Sequence, residues 1–427
     1  MSENQNNWKT IFRVSGGNFL EMYDFVVYGF YAQIISRIFF PSNNEYTSLI
    51  LSFVVFGLGA LMRPIGAIFL GSFMDKYGRK KGLMLTLSLM ALGTLSIAFC
   101  PGYETIGIIA PIIVALGRLI QGFSAGGETG GVSIYLSEIA PKGKKGFYVS
   151  WQSGSQQISV VFAGVIGVLL YYILGEKLTV EWGWRIPFII GCLIVPYILI
   201  IRKKLEESEE FKKEAHHHAQ KKFIWMLASI IKHYKIILIG IGFLMMTTSI
   251  YHFITVYTPT YAGHILNFSK LESFGITAMV GISNFFFVIF SGFLSDKIGR
   301  KPILVTSSLL CIISAYPVLH LATQNLNLTS LIFAELWLSF IYGMWNGSMM
   351  VALTEIVPSQ VKTLSYSFSY ALGIAIFGGF TPVVATWLIK NTGDRAIPGV
   401  WLSLIAFFSL VAVLAAYKKN KTNKENL

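Results

Sequence analysis

Charged residues are scarce in this sequence. They make up 13% of its 427 residues, whereas a soluble domain carries about 25%. Hydrophobic residues make up 54% of the chain and fall in blocks of about 20, the length that crosses ~30 Å of hydrocarbon. A large soluble protein with many buried helices is the alternative, but such helices rarely run this long without an amphipathic stripe. The composition therefore predicts a polytopic membrane protein.

Cysteines, metal-ligand clusters and nucleotide loops are also few or missing. Cys100, Cys192 and Cys311 lie in or at the ends of hydrophobic blocks, which excludes a disulfide framework and a cysteine metal site. The run His216–His218 lies among lysines, which favours a solvated linker over a metal tract. The sequence has no GxxxxGK[ST] loop, and its GFSAG lies inside a hydrophobic block rather than at a strand-to-helix turn. We expect no metal, no cofactor and no enzymatic activity.

Twelve hydrophobic blocks are predicted to cross the membrane. A charged stretch, LEESEEFKKEAHHHAQKKF, divides them into six and six. We predict an N-terminal half at residues 1–201, a linker at 202–235 and a C-terminal half at 236–427. The predicted bounds of the blocks are about 17–38, 48–74, 82–100, 107–139, 147–174, 184–202, 236–262, 273–295, 302–321, 329–357, 361–389 and 398–417.

The net charge of +13 is unevenly distributed along the chain. With the N-terminus placed in the cytoplasm, 26 of the 34 lysines and arginines fall on cytoplasmic segments, 6 on outer segments and 2 within blocks. This asymmetry follows the positive-inside rule and argues against nucleic-acid binding. The polar leader has no small-residue cleavage site, so we expect no cleaved signal peptide. Both termini are predicted to be cytoplasmic.

Two charged motifs occur once in each half. GSFMDKYGRKK begins at Gly71, and GFLSDKIGRKP begins 221 positions later, at Gly292, with six of eleven residues identical. LSEIAP and LTEIVP are separated by 217 positions. Two motifs in the same order at similar offsets indicate a duplicated unit. The sequence predicts an all-α membrane protein of twelve helices in two six-helix pseudo-repeats, with substrate bound between the halves.

The repeated turn also predicts a gate at the cytoplasmic face. Its glycines permit a tight turn, and its aspartate and arginine can pair and cap helix ends. We expect these pairs to form in one transport state and break in another. A basic loop that only sets topology would explain the lysines but not two copies of the whole pattern. The predicted gating residues are Gly71, Asp75, Gly78, Arg79, Asp296, Gly299 and Arg300.

Two arginines lie inside hydrophobic blocks, where a charge costs about 2.5–3.5 kcal/mol on insertion scales. Arg63 lies ~18 Å along its helix from Asp75, at 1.5 Å per residue. Arg118 lies about eleven residues in from the outer end of its helix. Each could be a structural tie to backbone carbonyls or to a carboxylate. We favour substrate binding, since a guanidinium can grip a carboxylate with two parallel hydrogen bonds.

The first block carries a polar stripe. Glu21, Asp24, Tyr28 and Tyr31 fall within an arc of roughly 80° at 100° per residue. Carboxylates inside a membrane are candidates for proton transfer. A substrate that competes for a nearby arginine would change the proton affinity of such a carboxylate.

Three later blocks also carry polar residues on one face. Hydrogen bonds between helices would explain any one of these stripes, but they explain all of them together less readily. The stripes are Gln152, Ser155, Gln156 and Ser159; Thr248, Tyr251, His252, Thr255 and Thr258; and Glu335, Ser339, Tyr342 and Asn346.

Longer strings of the sequence resemble a known family. They include GNFLExxDFxxxGFYA, LMRPIGAIxLG, GRLxQGFSAG, GFYxSWQSxSQQ, EWGWRIPF and FITVYTPTY. Over roughly residues 13 to 400 the chain closely resembles bacterial citrate–proton symporters, which form part of the metabolite–proton symporter branch of the major facilitator superfamily. The resemblance implies a multi-pass inner-membrane protein that imports a tricarboxylate with protons by alternating access.

The resemblance also implies roles for single residues. Arg63 matches the Arg-Pro motif of the family. Asp24 matches an acid that elsewhere in the superfamily couples to an arginine at the Arg118 position. Glu335 departs from the pattern, because related symporters are apolar there. By the internal repeat it occupies the position of Arg118, and a carboxylate in the cavity would repel a trianion, so the choice of ligand stays open.

These considerations predict two sets of site residues. The proton-coupling set is Asp24, Glu21, Arg118 and Glu128. The substrate-binding set is Asn18, Tyr28, Arg63, Arg118, Gln152, Gln156, Tyr251, His252, Thr255 and Asn346. We expect a small carboxylate substrate, protons as the coupling ion, the lipid bilayer as the surroundings and a monomeric protein.

Other functions remain as alternatives. A symporter of the same fold for a dicarboxylate such as 2-oxoglutarate, or for shikimate or betaine, is the main one. Two arginines disfavour a zwitterion but do not separate dicarboxylates from tricarboxylates. A membrane sensor would need an output domain larger than the linker. A drug exporter would prefer an apolar cavity and a glycine-proline motif in the fifth block.

Overall fold

A computed structural model describes residues 17–77, 79–126, 131–193, 232–357 and 362–425, and within these ranges every regular element is a helix. The first half consists of Gly17–Phe30 and Ala32–Phe39 (span 1), Glu45–Tyr77 (span 2), Arg79–Ala98 (span 3), Ile109–Gly126 and Gly131–Ile139 (span 4), Lys145–Leu178 (span 5) and residues 185–193 (span 6). The second half consists of Tyr234–Ile265 (span 7), Lys270–Ile298 (span 8), Arg300–Gln324 (span 9), Leu328–Ile356 (span 10), Lys362–Gly373 and Thr381–Thr392 (span 11) and Pro398–Glu425 (span 12).

The twelve-helix architecture predicted from the hydrophobic blocks is confirmed. Over the described ranges, nine helices are long and apolar enough to cross a membrane, namely spans 2, 4, 5 and 7 to 12. Span 1 is divided at Tyr31 into two shorter helices, and span 3 is apolar from Met84 to Ala98. Span 6 is described only in its first part. Spans 1, 3 and 6 bring the number of membrane-spanning helices to twelve.

Spans 7 and 11 are wound more widely than a regular α-helix. Span 7 is π-helical over His252–Tyr257 and Tyr261–Ile265, on either side of Pro259, and span 11 over Ile374–Gly378. Proline lacks an N–H and its ring displaces the preceding carbonyl, so it favours such a break. The breaks lie where both spans face the first half of the protein.

The two halves pack their helices alike. A Cβ on Gly126 of span 4 would lie 2.7 Å from the backbone nitrogen of Ala67 in span 2. A Cβ on Gly343 of span 10 would lie 3.1 Å from the backbone nitrogen of Val288 in span 8. These two pairs are separated by the same offsets, 217 and 221, as the repeated motifs. Spans 2 and 4 therefore pack as spans 8 and 10 do, in agreement with the predicted pseudo-repeat.

The halves meet where span 5 lies against span 8 and span 2 against span 11. A Cβ on Gly164 would lie 3.0 Å from that of Ala278, and one on Gly57 would lie 3.1 Å from the Gly379 carbonyl oxygen. Small residues let helix backbones approach closely. At these positions the helices of the two halves therefore come into close backbone contact.

Asp296 joins the two halves at the membrane face where spans 5, 7 and 9 begin, here named the linker face. Its carboxylate accepts hydrogen bonds from the backbone N–H groups of Gly146 and Phe147, both at 2.9 Å, in the first turn of span 5. A carboxylate at this position satisfies N–H groups that have no partner within the helix, and it meets the positive end of the helix dipole.

The same aspartate belongs to the second copy of the charged turn. Asp296 Oδ1 lies 2.8 Å from Arg300 Nη2, and Arg300 Nη2 lies 3.2 Å from Glu355 Oε1 of the LTEIVP motif. Gly299 has a φ of 88°, which favours glycine. The gating role of these residues stays a prediction. In the first copy, Gly78 lies outside the described residues. The surroundings of Gly71 and the side chains of Asp75 and Arg79 are not described either.

A second set of contacts joins the halves at the other membrane face, here named the opposite face. Lys270 of span 8 donates to Gln33 Oε1 of span 1. Gln33 Nε2 lies 3.2 Å from His264 Nδ1 of span 7. Lys390 of span 11 donates to Thr47 of span 2 at 3.1 Å. In this conformation the halves touch at both faces.

We expect Asp296→Asn to loosen the linker face. A neutral amide caps N–H groups more weakly than a carboxylate and does not pair with Arg300. A loss of about 1 kcal/mol would change the ratio of open to closed molecules about fivefold. Lys142 and Lys301 are exposed, one on each half. With spin labels at Lys142→Cys and Lys301→Cys, a larger fraction of the label-to-label distances should be long in Asp296→Asn than in the parent protein.

Glu104→Gln is the matched control, because Glu104 is an exposed acid near the opposite face. It should leave the distance distribution unchanged. If Asp296→Asn also leaves it unchanged, the cap on span 5 does not hold the linker face closed.

Candidate substrate and coupling site between the halves

Three basic side chains surround the ring of Phe25 at the centre of the bundle. Arg63 Cζ lies 4.8 Å and Arg118 Cζ 5.4 Å from the ring centroid, and the His252 ring centroid lies at 5.5 Å. All three basic residues are buried. Guanidinium–ring contacts of this kind are worth about 2 kcal/mol when desolvated. The arginines belong to the first half and His252 to the second, so the cluster lies where the halves meet.

Arg63 forms an ion pair with Glu21. Arg63 Nη1 lies 3.3 Å from Glu21 Oε1, and the two side chains are 3% and 10% exposed. Among the described residues Arg63 Nε has no hydrogen-bond partner. The pair therefore neutralises the charge of Arg63 while one donor remains for another acceptor.

Arg118 and Asp24 are connected through two intervening side chains. Arg118 Nη1 donates to Gln121 Oε1 at 2.8 Å, and Gln121 Nε2 donates to Thr94 Oγ1 at 2.8 Å. Thr94 Oγ1 in turn donates to Asp24 Oδ2 at 2.9 Å. All four residues are buried. The acid and the arginine predicted to couple are thus joined by a continuous chain of hydrogen bonds without direct contact.

The hydroxyl of Thr94 has a choice of acceptor. Besides Asp24 Oδ2, the carbonyl oxygen of Met90 lies 3.0 Å away. One hydroxyl carries one proton, so it donates fully to only one of them. An ionised Asp24 favours donation to the carboxylate. A protonated Asp24 can itself donate to Thr94, which then donates to Met90.

Aromatic rings enclose Arg118 on the side away from Gln121. Its Cζ lies 4.6 Å from the Tyr28 centroid and 4.9 Å from that of Phe56. Tyr28 Oη donates to the Ser52 carbonyl at 3.2 Å. Tyr28, which the sequence predicts to bind substrate, therefore holds Arg118 with its ring and has its hydroxyl engaged elsewhere.

Polar residues of both halves close the site on its other side. Tyr370 of span 11 shares hydrogen bonds with Gln152 and Gln156 of span 5. Tyr251 Oη donates to Met22 Sδ at 3.1 Å. His252 Nδ1 lies 2.6 Å from the Thr248 carbonyl, so it donates there and Nε2 is the free acceptor of a neutral ring.

Span 10 contributes a second polar chain at this interface. Asn346 Nδ2 donates to Tyr342 Oη at 2.8 Å, and Gln157 Nε2 of span 5 reaches the same hydroxyl at 3.5 Å. Within the part of the chain that is described, Asn346 Oδ1 and the buried Thr255 hydroxyl have no partner. These groups can accept or donate to a bound polar molecule.

Two predicted residues receive no structural description. Glu128 lies outside the described residues, as does the side chain of Asn18. The other predicted site residues are buried or half-buried, and several are close together: Glu21, Asp24, Tyr28, Arg63 and Arg118 in the first half, and Tyr251 and His252 beside them in the second.

Four residues of the site were not predicted from the sequence. Gln121 could have been found, since it lies one turn from Arg118 on the same helix face. Tyr370 and Phe25 look like ordinary buried aromatics in sequence. Thr94 is a lone hydroxyl in the apolar stretch LMALGTLSIA, and helical periodicity alone does not predict that it faces Asp24.

The space inside the central cluster is small. The cavity lined by Glu21, Asp24, Arg63 and Arg118 measures about 10 Å³, enough for one water molecule. A cavity of about 510 Å³ lies instead at the opposite face. Its polar lining includes Gln33, Arg37, Glu45, Glu176, His264, Lys270 and Arg395. The protein is therefore closed around its arginines, with a wide recess towards one face.

A membrane bundle of two alike halves, with a charged site buried between them, has the architecture of a secondary transporter. The sequence model of the Major Facilitator Superfamily matches residues 14–378. The chain belongs to this superfamily, as its repeated motifs predicted.

Individual relatives are also similar. The chain is 48% identical to a citrate-proton symporter of Klebsiella pneumoniae over 410 residues, covering 96% of this chain and 92% of the relative. It is 50% identical to a citrate-proton symporter of Salmonella typhi over 402 residues, covering 94% and 92%. The resemblance to this family is confirmed. A partially occluded inward-open structure of the xylose transporter XylE from E. coli matches with a TM-score of 0.75, at 18% identity and 96% and 97% coverage, and shows the shared fold alone.

We expect the Arg63–Glu21 pair to show strong energetic coupling. Removing one partner of a buried pair leaves an uncompensated charge, which costs about 3–5 kcal/mol. Arg63→Gln and Glu21→Gln should each lower the thermal stability of the purified protein. The double variant should lose less than the sum of the two, with a coupling of about 1–3 kcal/mol.

The exposed pair Arg37–Glu45 serves as the matched control. Its atoms are closer, at 3.0 Å, but its side chains are 55% and 59% exposed. Solvent screening should limit its coupling to about 0.2–1 kcal/mol. If the losses of thermal stability in Arg63→Gln and Glu21→Gln simply add in the double variant, the two side chains lie close together without stabilising each other.

Proposed function

We propose that the protein imports citrate, or a related tricarboxylate, together with protons across the bacterial inner membrane by alternating access. The observation that carries this proposal is the pair of buried arginines, of which Arg63 is paired with Glu21 and Arg118 is connected to Asp24 through Gln121 and Thr94. The linker face is cytoplasmic in this proposal, and the opposite face receives the substrate.

The charges of the site suit exchange of protons for carboxylates. With Glu21 and Asp24 ionised, two negative charges balance the two arginines. When both acids take up protons, both guanidinium groups lose a counter-charge, and two substrate carboxylates can replace it. Guanidinium groups hold carboxylates through paired hydrogen bonds, which favours arginine over lysine here.

The energetics of uptake also favour proton coupling. Moving one charge against 100 mV costs about 2.3 kcal/mol, so a trianion entering a negative interior faces ~7 kcal/mol. Protons that travel with the substrate cancel these charges. Symport with protons is also what the names of the two citrate-proton relatives describe.

Substrate binding is assigned to the arginines and the polar wall of the second half. Arg63 and Arg118 would hold carboxylates. The free acceptor and donor groups of His252, Thr255 and Asn346 would contact the substrate hydroxyl and its remaining carboxylate. Gln152 and Gln156 would join them once Tyr370 moves away.

Alternating access would use the contacts at the two faces. Opening of the opposite face requires Lys270 and His264 to leave Gln33. Opening of the linker face requires Asp296 to leave the first turn of span 5. The recess of about 510 Å³ would then be the entrance from the outside, and its basic side chains Arg37, Lys270 and Arg395 suit an anion.

A dicarboxylate substrate such as 2-oxoglutarate is the second candidate. The two arginines that hold two carboxylates of citrate would hold both carboxylates of a dicarboxylate equally well. The lipid bilayer is the surroundings in either case, and we propose that the protein acts as a monomer.

The proposal is tested in proteoliposomes with labelled citrate. A pH gradient, alkaline inside, should drive accumulation without sodium. A tenfold excess of unlabelled tricarboxylate should compete strongly, dicarboxylates less, and betaine and shikimate not at all. Accumulation that follows a sodium gradient and ignores pH would contradict proton coupling, and full competition by 2-oxoglutarate would favour the second candidate.

We expect Asp24→Asn to separate binding from accumulation. The variant is fixed in the uncharged form, so it should bind citrate and exchange it across the membrane. It should lose gradient-driven accumulation, about tenfold for each unit of pH that no longer contributes. Thr94→Val, which removes the donor to Asp24 at nearly equal volume, should weaken coupling in the same direction.

Thr94→Ser is the matched control, and Glu21→Gln tests the second acid of the site. Serine keeps the hydroxyl and should keep coupling. If Glu21→Gln loses accumulation while Asp24→Asn retains it, Glu21 carries the proton. If both retain it, proton coupling depends on other acids.

A further inference from the structure

Glu335 is a second-half acid that the proposed mechanism leaves unused. Its side chain is fully buried in span 10. Thr258 Oγ1 of span 7 donates to Glu335 Oε1 at 3.0 Å, while Oε2 has no hydrogen-bond partner in the described residues. Over the same ranges, no lysine, arginine or histidine nitrogen lies within 4.0 Å of the carboxylate. Among the described residues, the Thr258 hydroxyl is thus the one group that donates a hydrogen bond to the Glu335 carboxylate.

A buried carboxylate without a cation beside it is costly, by several kcal/mol after relaxation of the surroundings. The protonation of Glu335 must therefore depend on more distant charges. A substrate anion that binds between the halves brings negative charge into the same low-dielectric interior, and negative charge nearby favours the protonated form of a carboxylic acid.

The contact with Thr258 accommodates both forms of the acid. The Thr258 hydroxyl also lies 2.7 Å from the Ile254 carbonyl oxygen. It can donate to an ionised Glu335, or it can accept from a protonated Glu335 and donate to Ile254. Thr94 offers Asp24 the same choice, with Met90 as the second acceptor. Each half therefore has a buried acid against a threonine that serves either protonation state.

Among the described residues, the groups in direct contact with Glu335 include no cation. Tyr261 of span 7 lies close to it, and the Tyr261 hydroxyl donates to the Arg395 carbonyl at 2.8 Å. Span 8 presents the neutral side chains of Ser283 and Asn284 to span 10. Tyr257, Asp394 and Arg395 also act on Tyr261, and Tyr316 donates to Asp394 at 3.1 Å. The other charged or titratable groups on spans 7 to 10 include Tyr251, His252, His264, Lys270, Glu272, Asp296, Lys297, Arg300, Lys301, His320, Tyr342 and Glu355.

The internal repeat gives Glu335 a distinctive position. It lies 217 residues after Arg118, the offset of one repeated motif, on the corresponding span. The two halves therefore keep equivalent helix packing while one carries a fixed cation and the other a titratable acid.

We propose that Glu335 is a further proton-binding site, which takes up a proton as the anionic substrate binds and carries it across with the substrate. The proposal rests on the proposed function. It assigns one coupled proton to the second half, in addition to those of the first. Arg395, which lines the recess at the opposite face and holds Tyr261 through its carbonyl, marks the side from which that proton would enter.

The test is the proton stoichiometry in proteoliposomes whose membrane potential is held at zero with valinomycin and equal potassium. The citrate ratio at zero net flux is measured at several pH gradients. In Glu335→Gln the logarithm of this ratio should rise by one unit less per pH unit than in the wild type. Its accumulation should therefore be about tenfold lower for each unit of gradient. Citrate exchange without a gradient should remain.

Two controls keep the test decisive. Glu335→Asp retains a titratable group and should keep the wild-type slope. Glu272→Gln, which changes a half-buried acid in the first turn of span 8, should do so too. An unchanged slope in Glu335→Gln would overturn the proposal, and so would loss of citrate exchange in both Glu335 variants. A wild type that ignores the pH gradient would instead refute the proposed function itself.

Discussion

Arg118 holds a full positive charge between membrane helices, and in the described structure no carboxylate oxygen lies within 4.0 Å of it. Three aromatic rings and the amide oxygen of Gln121 take the place of a counter-ion. Because the acid is reached only through Gln121 and Thr94, Asp24 can change its charge without breaking a direct ion pair. In the proposed mechanism, the arginine remains in place and stays available to a substrate carboxylate while the charge balance around it changes.

The two halves of the internal repeat carry different polar groups at equivalent positions. Spans 4 and 10 pack against spans 2 and 8 through equivalent glycines, so duplication preserved the scaffold. The side chains that face the interior have diverged. Arg63 and Arg118 of the first half correspond to Asn284 and Glu335 of the second by the two offsets. Asn284 donates to Gln157 of the first half at 3.1 Å, so the second half contributes neutral contacts and one acid where the first contributes cations.

The sequence predicted the span count, the repeat, the two arginines and the acids beside them, because each has a local signature. A charge in an apolar block is conspicuous, and helical spacing orders residues on one helix. Contacts between helices depend on how each helix is rotated about its own axis. Hydrophobic periodicity does not determine this rotation in spans that are apolar on nearly every face. Thr94, Phe25 and Tyr370 became part of the site only through such rotations. The widened turns around Pro259 likewise change which residues of span 7 share a face.

Charge balance explains why protons and substrate should cross together. An interior that closes to about 10 Å³ around its arginines has room for about one water molecule, so closure is favourable only when the charges within it are compensated. Around the arginines of the first half, the empty site meets this condition with Glu21 and Asp24 ionised. In the proposed mechanism, the loaded site meets it when those acids are protonated and substrate carboxylates replace them. In the Glu335 proposal, a third carboxylate adds one negative charge and protonation of Glu335 removes one, so the total charge of the closed interior stays the same. Substrate without protons leaves surplus negative charge, and that state should not close.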